Sequence, residues 1–160
     1  MKIRFRELLI IGCSIFVACQ CTTTNSDKPV LTLEIFSPGG IEEVYVITIM
    51  RDRSYNVVFG SLKFQEGGKK EFSKVIAKRK GKISQNDWEV LQKHMKEVEK
   101  LGFSKSDTIV KDAWRLLLKT KSSEYEVFYE YPKHIPTKVY RLILEIIKLS
   151  PMKIDLHGWA

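Results

Sequence analysis

The 160-residue chain has no cysteine after residue 21 and only three histidines. Cys13, Cys19 and Cys21 crowd the amino terminus, so everything after them must fold without a disulfide framework, on a hydrophobic core alone. His94, His134 and His157 do not fall on one helical turn or at any metal-binding spacing, which argues against a zinc-type site. There is no Gly-x-Ser-x-Gly elbow, phosphate loop or dinucleotide fingerprint; Gly67-Gly68-Lys69-Lys70 leads into strand-like residues, not into a helix that could present its amides to phosphate. Asp155 and His157 would share one side of an extended segment, but no nucleophile can be assigned to them. No catalytic residue, metal ligand or cofactor is therefore expected.

A long apolar run is missing as well. After the charged start Lys2, Arg4, Arg6, Glu7, the stretch Leu8 to Ala18 is apolar apart from Gly12, Cys13 and Ser14. As a helix it spans about 16 Å, short of the roughly 30 Å hydrocarbon core of a bilayer. A charged n-region before a short apolar segment has the form of an export signal. It ends in Phe16-Val17-Ala18-Cys19, where a small residue precedes a cysteine. This segment resembles the lipobox of bacterial lipoproteins, with Phe16 where Leu is commonest. The resemblance implies that residues 1–18 are removed, that Cys19 is diacylated and becomes the first residue of the mature chain, and that the protein is held at a membrane by its lipid. Several acyl chains, at about 0.8 kcal/mol per buried CH₂, anchor stably where one does not.

Residues 19–29 are mostly small and polar, as befits a tether, and residues 30–160 suffice for one domain. Val30–Phe36, Glu43–Met50 and Ser54–Phe59 read as strands of an antiparallel meander, and a fourth strand is expected at Glu71–Lys78 after a Gly67-Gly68 hairpin. Ser84 and Asp87 mark the start of a helix over 84–101, with Trp88, Leu91, Met95, Val98 and Leu101 on one face and Gly102 as its stop. Two more strands, Ala113–Lys119 and Glu124–Tyr131, precede a final helix that runs from Thr137, read as its cap after Pro136, to about Leu149 with Val139, Leu142, Ile143 and Ile146 inward. The order predicts an α+β domain: an antiparallel sheet of about six strands with two helices packed on one face. This layout also resembles small lipoproteins of Bacteroides-type bacteria, which implies an anchored domain and no particular activity.

Charge is the remaining signal. The chain carries +8 overall, and residues 69–82 alone carry seven cations (Lys69, Lys70, Lys74, Lys78, Arg79, Lys80, Lys82) against one anion, Glu71. Outside that stretch and the export segment the charges balance. Near an anionic membrane each such cation contributes about 1 kcal/mol; equally, lysines guard an edge strand against pairing with other sheets. The expected function is therefore a non-enzymatic lipoprotein of the cell envelope, at the outer membrane facing the periplasm. Its basic stretch would meet anionic head groups or an envelope protein, and no nucleic acid. The competing expectation is a small hydrolase or carbohydrate-binding protein using the strand 124–131, whose Tyr125, Tyr129 and Tyr131 alternate with Glu124, Glu126 and Glu130.

Overall fold

The computed structural model describes residues 28–38, 40–102, 104–105, 113–128, 135–154 and 156. The expected export segment, Cys19, most of the expected tether, Tyr129, Glu130, Tyr131, His134, Asp155 and His157 lie outside them.

Alternation of apolar and polar residues makes the strands. β1 (Leu31–Phe36), β2 (Val44–Ile49) and β3 (Ser54–Phe64) form the expected meander with β4 (Lys70–Lys82). A 3-10 turn, Glu66–Gly68, closes the β3–β4 hairpin, and Gly67 there takes a φ of 83° that favours glycine. β6 (Arg115–Thr120) then pairs with β1, and β7 (Glu124–Phe128) with β6. The spatial order is β4-β3-β2-β1-β6-β7, with the two-residue β5 (Ser104–Lys105) parallel to β7 at the far side. Six antiparallel strands and two helices give the α+β architecture that the sequence predicts, and β5 is an addition to it.

Both helices cover one face of this sheet. Leu33, Ile47, Val57, Leu116 and Leu118, all fully buried, meet the apolar stripes of α1 (Gln85–Glu99) and α2 (Thr137–Lys148). A tyrosine pins each helix from a different strand. The Tyr55 hydroxyl on β3 donates to the Ile146 carbonyl at 2.6 Å, and that of Tyr125 on β7 donates to the Val98 carbonyl at 3.0 Å. α1 starts as read, with Ser84 Oγ accepting from the Asp87 amide at 3.1 Å, and Gly102 follows it at a φ of 78°. Among the described residues, every buried residue of this core lies between Leu31 and Leu156, so a chain beginning at Thr22 contains all of them.

Four expectations need correction. α2 is capped by Pro136 with no side-chain bond, so Thr137 is its first residue and not its cap. Leu101 is 45% exposed, because α1 has ended before its position could return to the inner face. β3 and β4 are each longer than read, reaching Phe64 and Lys82. Here an edge hairpin needs no buried face to keep its ladder, so the apolar alternation stops before the strand does. The extra length curls over the open face. In a flat sheet Lys70 would stand about 14 Å, three strand spacings, to the side of β1 and beyond the row Phe36–Val44–Gly60–Val75. Instead its Nζ lies 2.6 Å from Glu34 Oε2 and 4.8 Å from the centre of the Phe36 ring. Beneath the curl Phe36, Val44 and Leu62 form a second, smaller buried cluster.

The candidate site: an unbalanced cationic edge

β4 has β3 on one side and no strand among the described residues on the other, so the basic stretch is the outer rim of the sheet. Lys70 to Lys82 lie on the strand, Lys69 in the turn before it, and Lys74, Lys78, Arg79, Lys80 and Lys82 are exposed. Lys78, Lys80 and Lys82 recur at every second position, so they stand on one side of the strand about 6.7 Å apart, with Arg79 on the other.

What each cation faces follows from the register. Across the ladder Lys82 meets Ser54, Lys80 meets Asn56, Lys78 meets Val58 and Arg79 meets Val57; no carboxylate stands opposite any of them. The single anion of the stretch, Glu71, is engaged elsewhere, by Lys63 at 3.7 Å and by the Gln65 side chain. Lys70 reaches Glu34, but Lys69, Lys74, Lys78, Arg79, Lys80 and Lys82 have no ion pair among the described residues. Asp52 lies near enough to Lys82 for their charges to interact. The Asp52 carboxyl is held below its usual pKa first by the Ser54 hydroxyl and then by the Ser54 amide, with Lys82 adding a smaller coulombic pull.

Two bulges shape this edge. Residues Ser73 and Ile76 have no register partner in β3, because the register slips between Phe59 and Gly60 and again between Ser61 and Leu62. The crossing is so tight that a Cβ on Gly60 would lie 2.0 Å from the Lys74 carbonyl oxygen. Sequence reading finds the cations but misses the bulges. Their local signals are Val75-Ile76, an apolar doublet that breaks the alternation of a strand with one buried face, and Gly60, a lone glycine inside β3.

Chain entry is also placed. Pairing along one row joins Lys119, Thr32, Thr48, Asn56 and Lys80 across the sheet. Thr32 is the second residue of β1, so the chain enters the sheet at the same end of the strands as Lys78, Lys80 and Lys82.

The other sequence candidates are distributed differently. In strand 124–131, Tyr125 is buried under α1, while Glu124 and Glu126 pair with Lys119 and Arg115 at 3.7 and 3.5 Å. Those three side chains are committed to the fold. His94 is half-buried on α1, and its Nδ1 has no hydrogen-bond partner among the described residues. Among the described residues no group of His, Cys, Asp or Glu is placed to hold a metal ion, and no helix is long and apolar enough to cross a membrane. No family model, curated protein or solved structure matches this chain.

Proposed function

We propose that this chain is an envelope lipoprotein, anchored through Cys19, whose domain lies with its β4 edge against the anionic surface of the membrane that holds the anchor. It acts as a binding module and not as an enzyme. The observation that carries this reading is the register of β4, which sets cations along an outer rim opposite Ser54, Asn56, Val57 and Val58, with no ion-pair partner among the described residues.

The magnitudes are consistent. Six cations near an anionic surface contribute up to about 6 kcal/mol at about 1 kcal/mol each. Contact in the millimolar range requires about 4 kcal/mol, and a short tether supplies an effective concentration of that order. Residues 19–29 reach about 40 Å when fully extended, and the chain joins the sheet at the end where Lys78, Lys80 and Lys82 lie. A weak electrostatic contact is thus enough to lay the domain down.

Two measurements test the two halves of the proposal. Cells fed a fatty-acid analogue should label the wild-type chain and not Cys19→Ala; a labelled Cys19→Ala protein rules out the anchor. A chain beginning at Thr22 should float with anionic vesicles and not with neutral ones. That binding should be lost in about 0.5 M salt, where the screening length falls to about 4 Å, and in the triple variant Lys78→Glu, Arg79→Glu, Lys80→Glu. Flotation indifferent to the triple variant sinks the electrostatic half.

A further inference from the structure

Seven large apolar side chains are exposed among the described residues, and three of them sit on the β3–β4 hairpin: Phe64 at 53%, Val75 at 53% and Ile76 at 54%. In a regular strand Val75 and Ile76, being neighbours, would point to opposite faces, and one would be covered. Here the bulge at Ile76 interrupts that alternation at the outermost strand, beyond the reach of the helices, and both stay more than half exposed. Cations flank them on the strand, Lys74 on one side and Lys78 on the other, each without an ion pair among the described residues. Phe64 projects from the end of β3 beside Lys63 and opposite Lys70.

Exposed apolar side chains set among lysines, of which Lys74 and Lys78 have no ion pair among the described residues, match one kind of partner closely. An anionic bilayer offers phosphates at the surface and hydrocarbon a few ångströms deeper, so lysine stems can lie along the interface while the apolar groups between them pass below it. We infer that Phe64, Val75 and Ile76 form an apolar wedge that enters the acyl boundary of an anionic phospholipid bilayer when the β4 edge makes contact. The inference rests on the proposed membrane contact and adds depth to it: the lysines bring the edge to the surface, and the wedge holds it there. Ile76 itself lines the edge of a shallow groove, together with Ile41, Glu42, Glu43 and Leu62. Those carboxylates set the boundary of the contact, which is confined to the hairpin side of the groove.

The test uses the chain from Thr22, which has no cysteine, so that single cysteines can be labelled cleanly. Ile76→Cys and, as a reference, Val90→Cys on α1 each receive a polarity-sensitive dye. Anionic vesicles should shift the emission at position 76 to the blue, and acyl-chain-brominated lipid should quench it, while position 90 is unchanged. Val75→Ser with Ile76→Ser should weaken vesicle partitioning about tenfold; Val90→Ser should leave it unaltered, and all variants should keep the wild-type circular dichroism. Should the protein bind vesicles while the label at 76 stays as wet as that at 90, the wedge is refuted and the electrostatic contact stands. Absence of binding to anionic vesicles at low salt overturns the membrane contact and the wedge with it.

Discussion

At the β7 end of the sheet, Lys119 stands opposite Glu124 and pairs with it, and Arg115 reaches Glu126. At the β4 end, Lys80 stands opposite Asn56 and Lys78 opposite Val58, and neither has an ion pair among the described residues. Both ends are antiparallel ladders built on similar strand patterns, so the pairing geometry itself does not explain the contrast. The difference lies in what the neighbouring strand presents at the matching register positions. One end is neutralised from within the fold. The other keeps like charges side by side, at a small cost in stability, and this makes it the end on which an external anionic partner has most to gain.

The contrast can be broken most strongly at Gly60, on which the shape of the β4 end depends. Gly60→Ala drives a Cβ into the Lys74 carbonyl and should cost about 2 to 3 kcal/mol in urea unfolding, with loss of amide protection along Lys70–Lys82. A cost below about 0.5 kcal/mol would mean that the bulge yields easily and does not shape the edge.

Each end also holds a helix through a buried tyrosine. Tyr55→Phe leaves the Ile146 carbonyl without its donor and should cost about 1 to 2 kcal/mol. Burial pushes the Tyr55 hydroxyl well above its ordinary pKa, so the folded state keeps a proton that the unfolded state loses above about pH 10. Stability from this group is complete below that pH and falls as pH rises through it. Relative to wild type, Tyr55→Phe should therefore show a shallower alkaline decline in its urea midpoint; parallel curves would remove the linkage.

Smaller changes sharpen the comparison. Glu34→Gln uncouples Lys70, the one cation of the stretch with an ion pair among the described residues, and should cost about 1 kcal/mol by the same assay. Reversing one charge at each end should give opposite signs: Glu124→Lys lowers stability by about 0.5 kcal/mol, whereas Lys80→Glu raises it by a few tenths of a kcal/mol. Equal signs would show that the two ends do not differ in charge balance.

Much of the fold was legible because its signals are local. Ser84 caps α1 through its own hydroxyl, and the stripe Val139, Leu142, Ile143, Ile146 is buried throughout. Both depend on residues three and four apart. Where the local signal was weak the reading failed: Thr137 looks like a cap but leaves that position to Pro136, and β3 and β4 run on past the end of their apolar alternation. Of the candidate edge, the identity of every cation was legible, since charge is a property of single residues.

By itself, the sequence determined the six antiparallel strands and two helices, their order and most of their buried faces, and the concentration of unbalanced charge between residues 69 and 82. Only the tertiary structure decided that β6 lies beside β1, that Lys80 faces Asn56 while Lys119 faces Glu124, and that two bulges leave Val75 and Ile76 both exposed. Register and bulging are set by the best common packing of strands distant in the chain, so no single segment contains the information that fixes them.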